Sequence, residues 1–258
     1  MIFRPAPVLT LAMLGALAIL LALGTWQVNR LAWKTALIAQ IEARTKEPPT
    51  ALDLILASQA PVGEMEYSPV RVRGRFDHAR EIHLFTNYQG TPGYFIITPL
   101  IRSDGSAVLV NRGYAPIELK DPALRREGLV EGEVEIEGLL RASRSRAPFA
   151  PDDQPEENIW FTADAEAMAF IAGVEAPPLF IDALADQTRG PWPRGGVTRL
   201  EFRNAHLGYA ITWYGLAATL LGVYFTHQYS VGRIRFGAPA EATEPDAEKS
   251  SKNREGAS

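Results

Sequence analysis

The stretch Arg203–Tyr229, RNAHLGYAITWYGLAATLLGVYFTHQY, places one histidine between a polar segment and an apolar run. No residue from Tyr209 to Phe225 carries a formal charge, which makes about 26 Å of helix at ~1.5 Å per residue, close to the ~30 Å hydrocarbon core of a bilayer. His206 therefore stands about one turn outside the membrane. His206, Tyr209, Ala210 and Trp213 fall at i, i+3, i+4 and i+7, so a potential ligand heads a stripe of aromatic and small residues on one helix face. Such a stripe can hold a flat apolar molecule. The same residues also have a plainer reading, because Trp and Tyr anchor helix ends at the headgroup layer and a lone interfacial histidine simply meets water. His227 lies roughly 31 Å further along a continuous helix, too far to share a ligand with His206 in one protomer, and reads as a terminal residue of the span.

The other candidates carry less chemistry. His78 and His83 are an odd number of residues apart, which puts them on opposite faces if their segment is one strand. Asn111-Arg112-Gly113-Tyr114 follows the apolar strand Ala107–Val110. Arg112 can reach an anionic group at the sheet end, but the favoured reading is that Gly113 serves a turn. There is no glycine-rich phosphate loop, HExxH helix, GxSxG elbow or EF-hand loop, and the acidic residues cluster in loops rather than as a pair in an apolar setting,. The chain is not read as an enzyme. A membrane-tethered hydrolase would need convergent carboxylates that the sequence does not mark.

Composition narrows the field further. The chain has 258 residues, 47% hydrophobic and 22% charged, with a formal net charge of −4, so nothing calls for nucleic acid as a partner. Without cysteine there is no disulfide, thiolate metal site or cysteine nucleophile, and four histidines leave little for a metal cluster,.

The elements that must position His206 begin with Val8–Gly24, VLTLAMLGALAILLALG, an uncharged run extended by Thr25 and Trp26 to bilayer length,. Arg4 and the small residues of Ala22-Leu23-Gly24 would also suit a cleaved signal peptide, but the run is longer than the usual ~7–15-residue h-region, so it is read as a retained helix. Leu31, Ala32, Ala36, Leu37 and Ile41 keep helical spacing, which carries the helix on to about residue 44, before Pro48-Pro49. Thr50 is placed to cap a short helix reaching about Ala57.

From Pro69 the period becomes two: Val70, Val72 and Gly74 alternate with Arg71, Arg73 and Arg75, a half-buried strand with a basic outer face,. Strands are predicted at Glu81–Thr86, Tyr94–Arg102 and Ala107–Arg112, the last two as an antiparallel hairpin through Ser103–Ser106,. Glu131–Leu140 follows, with Glu133, Glu135 and Glu137 on a wet face. Arg144–Asn158 is a polar, proline-bearing loop, Asn158–Phe161 a short extended piece, Asp164–Ile171 a helix and Leu179–Leu184 a strand,. Pro191–Gly196 is an irregular turn whose Trp192 is placed at the membrane surface, and Thr198–Phe202 leads into the second span,. From Gly237 the tail has nothing to bury and is read as disordered,.

The expected architecture is membrane α+β: two transmembrane helices flanking a β-rich soluble domain, mostly antiparallel and barrel-like, with short helices. Its divisions are residues 1–28 for the first span, continuing as helix to about 44; 45–203 for the extramembrane domain; 204–230 for the second span; and 231–258 for a disordered cytoplasmic tail. Both termini lie on one side. Arg30, Lys34, Arg194, Arg199 and Arg203 near the spans on the domain side, against Arg4, Arg233 and Arg235 by the termini, would put the domain in the cytoplasm, but that rule is weak for connections beyond roughly 60 residues.

Four stretches resemble the Surfeit locus protein 1 family, membrane-bound assembly factors of cytochrome c oxidase. They are LGTWQVNRLAWKTALIAQIEAR (Leu23–Arg44), VRGRFDHAREIHLF (Val72–Phe85), NRGYAP (Asn111–Pro116), where the family usually has Trp at Tyr114, and RNAHLGYAITWYGLA (Arg203–Ala217). The resemblance implies a multi-pass protein of the bacterial plasma (inner) membrane or the mitochondrial inner membrane, with its domain on the periplasmic or intermembrane face and both termini cytoplasmic. It implies a part in supplying haem a to the oxidase catalytic subunit, alongside haem a synthesis or delivery proteins, with His206 as transient axial ligand of the haem iron. Imidazole is a common axial ligand, and an aromatic helix surface at the lipid boundary suits a farnesylated porphyrin. Tyr209 and Trp213 are then expected against the macrocycle, Arg203 or Arg199 on a propionate, and Trp26, Gln27 and Arg30 either as the other wall or as a structural helix contact. The competing expectation is a membrane-anchored scaffold for oxidase subunits that binds no haem.

Overall fold

The structure is a computed structural model describing residues 2–3, 6–185, 190–200 and 202–235. The expected tail from Gly237, and Arg4 with its n-region role, lie outside the described residues. Two compact units divide the chain, Met1–Lys34 with Asn204–Ser258 and Thr35–Arg203.

The first unit is a helix pair. β1 (Ile2–Phe3) precedes α1 (Pro7–Arg44), and proline at the first helical position suits a site where the missing N–H has no intrahelical partner,. α1 runs unbroken to Arg44, short of Pro48-Pro49,. Its least exposed residues in this unit include Thr10, Met13, Leu17, Leu20, Gly24, Gln27 and Leu31, spaced alternately by three and four. α4 (His206–Ser230) repeats the pattern at His206, Ala210, Trp213, Ala217, Leu220 and Tyr224. That spacing is the seam of two helices packed along their length.

The helices are antiparallel, since Thr10 Oγ1 meets the Tyr224 hydroxyl at 2.7 Å while Gln27 meets His206 at the other end. β9 (Ile234–Arg235) pairs antiparallel with β1 at the end that carries Thr10 and Tyr224. Away from the seam both helices expose apolar side chains, and both are long and apolar enough to cross a membrane by length and composition.

The second unit is built on a sheet. Its elements are β2 (Thr50–Ala51), α2 (Leu52–Ala57), β3 (Pro69–Phe76), β4 (Ile82–Tyr88), β5 (Thr91–Ile101), β6 (Ala107–Pro116), β7 (Glu133–Ala142), α3 (Ala165–Ala172) and β8 (Leu179–Ala183). The sheet order is β2-β3-β7-β8-β6-β5-β4. It is mixed and mostly antiparallel, with β2–β3 and β6–β8 parallel. β5 also returns to β3 at Arg75↔Ile101 and Phe76↔Leu100, so pairing runs in a circuit through β3, β7, β8, β6 and β5. Val70, Leu100, Val108, Val110, Leu140 and Ile181 share one core cluster with Leu52 and Ile55 of α2. Met168 and Ala169 of α3 join a second cluster with Ile82, Leu109 and Trp160.

The alternation along β3 sorts as its period requires, Val70 and Val72 buried and Arg71, Arg73 and Arg75 exposed. Its basic face is met by an acidic one, because the register sets Arg71, Arg73 and Arg75 opposite Glu137, Glu135 and Glu133 of β7. α3 starts at Asp164, whose carboxylate accepts from the backbone N–H groups of Glu166 and Ala167, and ends on Gly173 in the left-handed region,. Thr50 does not cap α2: it pairs with Val70 in β2, and Ala51 at the N-cap makes no side-chain bond. Parallel pairing onto the edge of β3 takes the residue that local pattern assigned to a cap.

Candidate functional site

At the N-terminus of α4, His206 Nδ1 lies 2.7 Å from Gln27 Oε1. An amide oxygen only accepts, so the ring nitrogen is the donor, and in the neutral imidazole Nε2 keeps its lone pair. Gln27 is buried and His206 half-buried. An imidazole with one nitrogen anchored by a hydrogen bond and the other available is the usual disposition of a histidine that binds a metal.

The packing beneath sets this meeting. Gly24 lies one turn below Gln27 on the same face, and a Cβ there would come within 2.9 Å of the Tyr214 ring. The Tyr214 hydroxyl in turn bonds Thr25 Oγ1 at 3.2 Å. Close approach at Gly24 holds α1 and α4 in the register that brings Gln27 to His206.

Of the other predicted site residues, Trp213 is half-buried along the seam, whereas Tyr209 and Trp26 are each 56% exposed. Trp26 sits about 100° round α1 from Gln27. The exposed Arg30 lays its guanidinium over the Trp33 ring, 4.0 Å from the centroid. Arg199 and Arg203 are exposed and belong to the other compact unit. His227, in the last turn of α4, lines a separate groove of about 400 Å³ with Met13 and Tyr224.

The second unit contains a buried ionic cluster that sequence reasoning missed. Glu81 accepts from His83 Nε2 at 2.7 Å and, through both oxygens, from the Arg125 guanidinium. The Arg125 side chain is 0% exposed and that of Glu81 2%. Arg125 also donates to the carbonyls of Leu119 and Lys120. Burial pushes the Glu81 carboxyl up, but the hydrogen bonds from His83 and Arg125 and the guanidinium charge outweigh it and hold the group below its ordinary range,.

Beside this cluster Arg112 donates to Gly128 O and, at 3.4 Å, to His78 Nδ1, and lies over the Phe76 ring. Burial lowers the guanidinium to about 10 against the opposing pull of Glu81. His78 Nε2 donates to Val130 O at 2.9 Å. Burial lowers the His78 imidazole below its usual value despite that bond, and Arg112 lowers it further.

These contacts correct three expectations. His78 and His83 do not share a strand, because a short 3-10 turn at His78–Arg80 separates the first from β4. Asn111–Tyr114 is not a turn but the interior of β6; Gly113 takes φ +119° because the Arg194 backbone crosses it and bonds Tyr114 in both directions. Arg112 accordingly serves Gly128 O rather than an anion at a sheet end. Trp192 is half-buried with its ring edge-on to Tyr114, centroids 6.0 Å apart.

Among the described residues no three His, Asp or Glu side chains gather closely enough to hold a metal ion. A histidine ligating iron within a porphyrin needs no such cluster, since the macrocycle supplies the equatorial nitrogens.

The SURF1 family model matches residues 14–218, a range that contains Gln27, His206 and all four stretches of resemblance. Surfeit locus protein 1 of Homo sapiens is 40% identical over 220 residues, which cover 79% of this chain and 72% of that protein. The Xenopus tropicalis protein of the same name is 40% identical over 214 residues, 76% of this chain and 68% of its own. A SURF1-like protein of Monosiga brevicollis is 38% identical over 226 residues, 83% and 85% of the respective chains.

Proposed function

This chain belongs to the SURF1 family, and from that premise we propose that it is a membrane-anchored assembly factor for a haem-copper cytochrome c oxidase. It aids delivery or insertion of haem a into the catalytic subunit, working with the proteins that make or pass on the haem. The observation that carries the haem part is the His206–Gln27 bond at the mouth of the helix pair, since a neutral imidazole that donates through Nδ1 keeps its lone pair on Nε2.

The donor set fits the group. Imidazole is a common axial ligand to haem iron, and the exposed rings of Tyr209 and Trp26 and the half-buried ring of Trp213 offer the apolar flanks a porphyrin needs. Haem a, when bound, supplies the redox-active iron porphyrin destined for the oxidase. His206 would hold the iron, Tyr209, Trp213 and Trp26 would shield the ring faces from water, and the Arg30 guanidinium would suit a propionate. α1 and α4 span the plasma membrane of a bacterium, with the β-rich domain periplasmic and the termini cytoplasmic. The reading draws on the apolar length of both helices and on their antiparallel pairing.

The test is haem content after purification from cells that make haem a. The wild type is expected to carry haem, and His206→Ala to lose most of it and shift the Soret band. Equal haem content and identical spectra would reject the ligand role and leave a scaffold that binds oxidase subunits alone.

A further inference from the structure

We infer that Gln27 is the positioning residue that selects which nitrogen of His206 meets iron, an inference resting on the haem reading above. A free imidazole exchanges its proton between Nδ1 and Nε2, and only the nitrogen without a proton can ligate. In this chain the exchange is biased by a side chain on the other helix. Gln27 Oε1 sits 2.7 Å from Nδ1, and Gln27 is 8% exposed, so water competes poorly for the amide oxygen. The acceptor fixes the proton on Nδ1 and the lone pair on Nε2.

Selection of this kind also fixes ring orientation. The hydrogen bond joins residues 179 apart in sequence, one on each helix, so the ligand is set by the meeting of α1 and α4 and not by α4 alone. A ring held this way pays less ordering entropy on binding than a freely rotating one. A neutral amide adds little charge to the imidazole, in contrast to the carboxylate that orients many histidine ligands and raises their basicity. The expected ligand is therefore well aimed but only moderately strong, which suits a site that must release its haem.

The experiment uses the full chain in detergent micelles. Nitrogen-15 NMR of the ring nitrogens reads the tautomer before any haem is added, and with four histidines in the chain the His206→Ala spectrum identifies the His206 signals. The wild type is expected to show protonated Nδ1 and unprotonated Nε2. Gln27→Leu, which removes the acceptor, is expected to show Nε2 protonated or both nitrogens averaged. Gln27→Glu, which keeps an acceptor, is expected to retain the wild-type tautomer.

Titration with haemin is expected to weaken about 10–100-fold in Gln27→Leu, the usual effect of losing a hydrogen-bond partner to a metal-binding histidine. Gln27→Glu is expected to restore binding and to lower the reduction potential of the bound haem. A protonated Nε2 in the wild type, or a tautomer unchanged in Gln27→Leu, overturns the inference while leaving the haem reading intact. Should Gln27→Leu fail to fold, the wild-type tautomer and the Gln27→Glu potential still decide it. Haemin binding equal in wild type and His206→Ala overturns both, whatever the tautomer.

Discussion

Glu81 and Arg125 show how a charge survives in a domain core: each carboxylate oxygen accepts from the guanidinium, and two further guanidinium protons go to Leu119 O and Lys120 O. Removing one partner strands the other, and an uncompensated buried charge costs about 3–5 kcal/mol. Arg125→Met is therefore expected to lower full-chain stability by that order, read as a shift of the denaturant midpoint, while Glu127→Ala, two residues on, leaves it nearly unchanged. His78 gives a pH signature. It is held neutral between Arg112 and Val130, and its folded pKa is depressed below the ordinary 6.5. The unfolded chain then binds more protons, so the stability His78 contributes is fully present above pH ~6.5 and is lost as pH falls through the folded value. His78→Gln keeps a donor for Val130 O and an acceptor for Arg112 but cannot titrate, so melting temperature between pH 7 and 5 should fall less steeply than in the wild type. Glu81, also depressed, adds its own loss only below about pH 4.5, as its carboxylate takes up a proton,. At this scale the sequence marks His206 by its place above the second span, and Gln27 only through the family resemblance, as a haem wall or a helix contact; the bond between them shows the contact. It gave no hint of the Glu81–Arg125 pair, whose members are 44 residues apart and lie in segments with no shared period. It also misplaced Arg112, because Gly113 reads locally as a turn and only the crossing Arg194 backbone explains why that glycine sits inside a strand.

Elements were legible where a period was long and clean. The two-residue alternation of β3 and of β7 predicts both strands and their wet faces, but neither period alone says that the two charged faces meet. The pairing of Arg71, Arg73 and Arg75 with Glu137, Glu135 and Glu133 is implicit in the two patterns, since three alternate cations and three alternate anions match on an antiparallel pair,. β2 was missed because two residues have no period, and the strand order could not be read because hydrogen-bonded neighbours such as β6 and β8 are distant in sequence. For the helix pair, the three-and-four spacing makes a sharp comparison between two glycines of α1. A side chain at Gly24 meets the Tyr214 ring, whereas a Cβ at Gly15 meets nothing within 4 Å. Gly24→Leu is expected to cost about 1–3 kcal/mol, the usual cost of overpacking, and to weaken haemin binding by moving Gln27 from His206. Gly15→Leu, as a matched substitution in the same helix, is expected to change neither the melting temperature in detergent nor the haemin titration.

The molecule as a whole has one feature that makes its arrangement across a membrane easy to test: the chain contains no cysteine, so each introduced thiol reports without background. α1 and α4 are antiparallel and their outer ends, at Thr10 and Tyr224, meet, so if the pair crosses a bilayer, the Thr10 and Tyr224 ends face one side and the chain between the helices leaves and re-enters on the other. The charges near the spans argue against the proposed orientation, with Arg30, Lys34, Arg194, Arg199 and Arg203 on the domain side. Positive charge governs orientation only for short connections, within roughly 60 residues, because long domains are translocated largely regardless of it. The segment between the helices is far longer than that, so the charges do not decide. Ser145 is exposed in the domain and Ser230 is exposed at the end of α4. In intact cells with a permeable outer envelope, a membrane-impermeant maleimide is expected to label Ser145→Cys at once and Ser230→Cys only after the inner membrane is opened. The reverse pattern would place the domain, and the His206 end of the helix pair with it, on the cytoplasmic side, where haem would have to be handed over from within. Equal labelling of both in intact cells would mean that the two helices do not cross the membrane as a pair, and the lipid-boundary site built on them would be lost.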